Sequence, residues 1–195
     1  PFIRARDVMQ SVAGQNAQEK QLTLQEAIRN HYQQLFQRAE AKRLELGAPL
    51  PIIATGHLTT VGASASESVR EIYVGSLEAF PTAAFPPADY IALGHIHRPQ
   101  KVGGLDHIRY CGSPIPLSFD EIGKQKEVLL VEFNEHGLRD ITPLLVPCFQ
   151  PLVTVKGNLI DLEMEIAEAA KLGTSAIPAW LEVTVKGDDY LSDLQ

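Results

Sequence analysis

The stretch Tyr90-Ile91-Ala92-Leu93-Gly94-His95-Ile96-His97 decides how this chain is read. Four apolar or aromatic residues in succession read as a short buried strand; a glycine follows it, and two imidazoles come directly after. Imidazole is a good ligand for first-row metals, so a strand running into Gly-His-x-His points to hydrolytic metal chemistry.

Two other segments repeat the design. Ile52-Ile53-Ala54 leads through Thr55 to Gly56-His57, and Ile108 to Cys111 leads to Gly112-Ser113. In α/β folds such strand ends converge on a cleft, and glycine permits the close backbone approach that a ligand there requires. His57, His95 and His97 are the candidate metal ligands, with Gly56, Gly94, Gly112 and Ser113 as structural neighbours of the site. Residues two apart on an extended segment can face one side, whereas near a tight turn they can diverge toward two metal centres about 3.5–4 Å apart. Three histidines do not complete a two-metal site, which also needs hard oxygen ligands. The carboxylates at hand, Asp89, Asp106, Glu67 and Glu71, lack a matching strand-end pattern.

Working outward, apolar residues from Leu22 to Leu46 recur at three- and four-residue steps among Gln, Glu, Lys and Arg. That spacing predicts a surface helix with one buried face, preceded by Thr23 or Gln21 and stopped by Gly47 and Pro49-Leu50-Pro51. Leu58 to Glu78 reads as a loop system with one strand-like island, Ile72-Tyr73-Val74. Lys101-Val102 and His107 to Cys111 form a predicted hairpin around Gly103-Gly104, and Val128–Phe133 with Leu138–Leu145 form a second around 134–137. Leu159 to Leu172 has helical spacing up to Gly173, Trp180 to Val185 alternates like a strand, and Asp188 to Gln195 has helix-start character. The chain opens on Pro1 rather than Met and stops without a terminal cap, so truncation at both ends is expected.

With 195 residues and 45% hydrophobic content, the chain is long enough for one sizeable folded domain, which excludes bulk disorder. A balance of 17 Lys+Arg against 24 Asp+Glu, net -7, argues against a strongly basic nucleic-acid-coating protein, though it leaves room for a local groove. Cys111 and Cys148 lack Cys-x-x-Cys spacing and no secretory segment opens the chain, so reduced thiols in a cytoplasmic protein are expected. No apolar window is long enough for a membrane span.

Three segments carry a resemblance. Thr55-Gly56-His57-Leu58-Thr59-Thr60-Val61-Gly62-Ala63, Ala92-Leu93-Gly94-His95-Ile96-His97-Arg98 and Tyr110-Cys111-Gly112-Ser113-Pro114-Ile115-Pro116-Leu117-Ser118-Phe119, in this order, resemble the later motifs of the calcineurin-like metallophosphoesterases, and within them a nuclease branch. The likeness covers essentially the whole chain. It implies the second half of a four-layer α/β/β/α sandwich over residues 1–153, and the start of a small α/β DNA-capping domain over 154–195. It implies His57 and His95 as ligands of one metal and His97 as a ligand of the other, all three catalytic, with Mn²⁺ as the ion. It further implies exonuclease action on double-stranded DNA ends and endonuclease action on single-stranded or hairpin DNA, in recombination and repair. The implied partners are an ATPase subunit, DNA and a second nuclease subunit.

The family's earlier motifs, Asp-x-His, Gly-Asp and Gly-Asn-His-Asp, are absent from these residues, and Asp106-His107 lies in the hairpin rather than in their place. By itself the chain is therefore expected to be inactive or nearly so. Arg98, Lys101 and Arg109 are phosphate-contact candidates, against the alternative of a solvated surface. Ser113 has no Gly-x-Ser-x-Gly context and reads as part of a tight loop buttressing the site rather than as a nucleophile. Cys111 reads as a buried strand residue, His31 and His136 as surface residues, and Phe119 and Tyr73 as packing residues before stacking platforms. Two rivals stand beside the nuclease: a metallophosphoesterase of small phosphate esters, and a non-catalytic structural or interaction fragment.

Overall fold

The computed structural model describes residues 5–10, 13–60, 63 and 79–186. The expectations placed on Glu67, Glu71, Ile72–Val74 and Asp188–Gln195 lie outside the described residues.

After a short helix α1 (Ala5–Val8), the chain enters a 30-residue helix, α2 (Ala17–Leu46). It begins earlier than the apolar periodicity predicts, and its cap is neither Thr23 nor Gln21. Asn16 caps it: its side chain accepts from the Glu19 N–H at 2.9 Å, and the Glu19 carboxylate accepts from the Asn16 N–H at 3.0 Å. The first turn is polar, so hydrophobic spacing misses it, whereas the Asn-x-x-Glu capping box marks it. Thr23 instead lies inside the helix, its hydroxyl donating to the Glu19 carbonyl. Gly47, left-handed at φ 64°, ends the helix where expected. Leu24, Ile28 and Tyr32 form the buried stripe and pack on Phe80, with Leu58 and Phe85 beside them. Each such burial contributes about 1.5–3 kcal/mol, enough to fix the long helix against the sheet region.

The sheet that carries the histidines has four strands: β1 (Ile53–His57), β2 (Tyr90–Gly94), β3 (Gln100–Val102) and β4 (Leu105–Tyr110), in the order β1-β2-β4-β3. β1, β2 and β4 run parallel, with His57 opposite Gly94 and Leu93 opposite Tyr110. β3 returns antiparallel to β4 through Gly103-Gly104, whose φ values of 58° and 73° suit the two-residue turn read from the sequence. Ile91, Leu93, Ile96, Val102, Ile108 and Tyr110 make its core. Near-continuous apolar runs, rather than alternating ones, are what parallel strands covered on both faces require.

β5 (Lys126–Asn134) and β6 (Gly137–Val146) pair as the second predicted hairpin. β7 (Leu152–Gly157), α3 (Leu159–Ala170) and β8 (Trp180–Val185) form a β-α-β unit with parallel strands and its own small core of Val155, Leu162 and Ala169. Asn158 caps α3 by accepting from the N–H groups of Ile160 and Asp161. The result is a mixed α/β architecture. No helix among the described residues is long and apolar enough to cross a membrane.

Candidate metal centre

Because β1, β2 and β4 are parallel neighbours, their C-terminal ends deliver Gly56-His57, Gly94-His95 and Gly112-Ser113 to one edge of the sheet. The imidazoles of His57 and His95 stand 5.3 Å apart, centroid to centroid, at an interplanar angle of 57°. Gly94 makes this proximity possible, since a Cβ there would lie 3.1 Å from the Nδ1 of His57. His95 is buried and holds φ at 99°, the one positive φ at a non-glycine residue among those described. A non-glycine residue in such a conformation costs about 1–3 kcal/mol and persists where the surroundings demand it, commonly at functional sites.

Burial pushes the pKa of both His57 and His95 below the ordinary imidazole value, and the neighbouring imidazoles add to the shift. Neutral imidazoles keep a lone pair, which is the form a metal takes. The donor chemistry thus fits a first-row divalent ion. Among the described residues, no group of three or more His, Cys, Asp or Glu is gathered as a complete metal cage.

His97 faces a different neighbour. Its Nδ1 lies 2.9 Å from Oε1 of Glu121, a residue only 3% exposed that the sequence pattern does not single out. The other carboxylate oxygen accepts from Lys126 Nζ at 2.6 Å and from the Leu117 N–H at 3.0 Å. Lys126 is equally buried, and its ammonium also reaches Ser113 Oγ at 2.9 Å and the His97 carbonyl at 3.3 Å. The Ser113 N–H donates to that same carbonyl. Ser113 is therefore a buried brace of the His97 segment. Glu121 follows Phe119 in a short 3₁₀ turn and Lys126 opens β5, with no periodic or spacing signal joining either to the histidines. Glu121 and Lys126 stand among the five charged residues from Asp120 to Glu127, just behind Pro-Ile-Pro-Leu-Ser-Phe, and nothing in the sequence sets these two apart.

Gly112, at φ 85°, leaves no room for a side chain: a Cβ there would sit 2.8 Å from the His97 carbonyl oxygen. Gly56 is similarly confined, between the side chains of Leu58 and Tyr32. The buried Tyr110 donates to the Leu58 carbonyl at 2.6 Å, tying the segment after His57 to β4.

The other candidates are dispersed. Arg98 lines, with His97, Glu121 and Lys126, a cleft of about 450 Å³. Lys101 and Arg109, opposite each other on β3 and β4, both bind the Asp106 carboxylate. Asp89 sits at the other end of the sheet, where it accepts from the Ile52 N–H at 2.7 Å and pairs with Arg43. Neither Asp89 nor Asp106 joins the histidines. A larger, more apolar groove of about 540 Å³, bordered by Ile115, Phe149 and Trp180, contains none of the three histidines and meets their surroundings only through the segment that ends at Lys126.

Known proteins resemble this chain along its whole length. Residues 148–195 match the family described as "Type 5 capsule protein repressor C-terminal domain". The SbcD subunit of the SbcCD nuclease from Escherichia coli strain K12 is 52% identical over 195 residues, 100% of this chain and 48% of that protein. The same figures hold for its counterpart from Escherichia coli O157:H7. The corresponding SbcD protein of Rhodobacter capsulatus is 41% identical over 100 residues, 50% of this chain and 24% of that protein. The chain spans about half the length of the Escherichia coli relatives it matches. With three strand-end motifs on one sheet edge and an alignment that covers every residue at this identity, the chain is similar along its whole length to the SbcD subunits of SbcCD nucleases.

Proposed function

We propose that the full-length protein containing this chain is the nuclease subunit of an SbcCD-type complex and hydrolyses DNA phosphodiesters at a two-metal Mn²⁺ centre. The observation that carries this reading is the pair of imidazoles, His57 and His95, side by side at the ends of adjacent parallel strands. His57 and His95 hold one metal and His97 the other. The chemistry such a centre supplies is polarisation of the phosphodiester, activation of a water and stabilisation of the departing oxygen. The chain's own residues position that chemistry: Gly94 lets His57 and His95 approach, Ser113 and Lys126 pin the His97 backbone, and Tyr110 secures the segment after His57.

Hard oxygen ligands and a general acid come from sequence outside these residues. The finer architecture follows from the same reading: residues 1–153 complete the second half of a four-layer α/β/β/α sandwich, and 154–195 begin a DNA-capping domain. Arg98 is the leading phosphate contact, with Lys101 and Arg109 reaching phosphate by exchanging their Asp106 partner. The substrates are double-stranded ends, single strands and hairpins, the partners an SbcC-type ATPase and a second nuclease subunit, and the setting the cytoplasm.

The test is Mn²⁺-dependent cleavage of end-labelled duplex and hairpin DNA by the full-length protein, with and without its ATPase partner. Metal-dependent cleavage that His97→Ala abolishes is the expected result. Hydrolysis of small phosphodiesters with DNA left intact would instead assign the site to the small-ester reading.

A further inference from the structure

The Glu121–Lys126 pair is the most deeply buried charge pair among the described residues, its side chains 4% and 6% exposed. Burying two charges is costly, and such a pair adds less stability than well-packed apolar residues of the same size would. A small fold that retains one beside a candidate metal ligand calls for a reason other than packing.

The hydrogen bonds of this network assign its protons. Lys126 has three protons and three acceptors: Glu121 Oε2, Ser113 Oγ and the His97 carbonyl. Glu121 receives hydrogen bonds from Lys126 and the Leu117 N–H on Oε2, while Oε1 faces the His97 ring at 2.9 Å. An ionised carboxylate only accepts. The ring nitrogen facing it must then donate, which puts the proton of a neutral His97 on Nδ1 and leaves the lone pair on Nε2. Meanwhile Lys126 and the Ser113 N–H hold the backbone of the same residue by its carbonyl. His97 is gripped at both ends by one charged cluster.

We infer that Glu121, braced by Lys126, is a positioning residue that fixes His97 as the Nδ1–H tautomer and presents its Nε2 to a metal. This rests on the proposed function for the identity of the metal, and the tautomer is argued from an ionised Glu121 facing Nδ1. Carboxylates that orient ligating histidines in this way raise ligand basicity, and removing one costs about 10–100-fold in metal affinity or activity.

The experiment uses full-length protein, metal-free and ¹⁵N-labelled at histidine, in which long-range ¹H–¹⁵N correlation reports the tautomer of each ring. Wild-type His97 should be the Nδ1–H form. Glu121→Gln should shift it toward the Nε2–H form and weaken Mn²⁺ binding by about 10–100-fold, measured by calorimetry. Because Glu121→Gln leaves Lys126 buried without its counter-charge, the double variant Glu121→Gln/Lys126→Met provides a neutral cluster and should show the same two effects. An Nε2–H tautomer in the wild-type protein, or an unchanged tautomer in either folded variant, would overturn the inference, and the wild-type spectrum decides even if neither variant folds. Absence of Mn²⁺ binding by a wild-type protein with the Nδ1–H tautomer would instead count against the proposed function.

Discussion

His57 and His95 come from different strands, yet their rings lie 5.3 Å apart because Gly94, paired with His57 across the sheet, has no side chain to separate them. Gly94 has room for a methyl group only if His57 moves, since the added Cβ would lie 3.1 Å from Nδ1. Gly94→Ala in the full-length protein is therefore expected to weaken Mn²⁺ binding several-fold by displacing the ring. The thermal midpoint should change little, because the φ of Gly94 is not left-handed. Calorimetric titration beside a melting curve checks both halves, and undiminished Mn²⁺ affinity would show that His57 need not keep this position.

Gly112 should behave in the opposite way. Its φ of 85° disfavours any L side chain, at about 1–3 kcal/mol, and the new Cβ would press on the backbone oxygen of His97 at 2.8 Å. Gly112→Ala is expected to lower the unfolding free energy by at least that backbone cost, seen as a lower urea midpoint. A midpoint equal to wild type would mean that the Gly112 loop relaxes freely.

Tyr32 supplies a pH dependence. Burial pushes its hydroxyl up to about 12 from the ordinary value of 10. The folded state thus favours the neutral phenol: the contribution is fully present below about pH 10 and is lost as pH rises toward 12. Urea midpoints should fall as pH rises from about 10 toward 12, and Tyr32→Phe should make that fall shallower. An identical alkaline slope in wild type and variant would refute the assignment.

The two thiols should react at different rates. Cys148 is exposed, whereas Cys111 is partly buried and its thiol is pushed up by burial. Since the thiolate is the nucleophile, iodoacetamide at about pH 8 is expected to label Cys148 first and Cys111 only slowly, with the difference vanishing in urea. Peptide mass mapping over time measures this, and equal native rates would contradict the partial burial of Cys111.

The strand-end histidines were readable because each ends an apolar run with Gly-His, a local pattern that parallel strands turn into a shared edge. The Gly103-Gly104 turn and the β5–β6 hairpin were readable for the same reason: turn residues and runs of β-formers sit next to each other in sequence. The polar first turn of α2 escaped hydrophobic periodicity, although Asn16 and Glu19 spelled out its cap. Glu121 and Lys126 could not be found that way. Their role depends on a buried meeting of the Phe119–Glu121 turn, the start of β5 and the loop after His97, and a carboxylate in sequence carries no mark of the imidazole it will face. Nor does His95 announce its positive φ, which arises from the path the chain takes between β2 and His97.

The proposed function makes His57, His95 and His97 the later half of a two-metal centre. Its most direct test is Mn²⁺ stoichiometry, by calorimetry and electron paramagnetic resonance, in the full-length protein and in His57→Ala, His95→Ala and His97→Ala. Two ions per wild-type chain are expected, with His57→Ala and His95→Ala each impairing one site and His97→Ala the other. Two ions bound with wild-type affinity in all three variants would show that these histidines are not metal ligands.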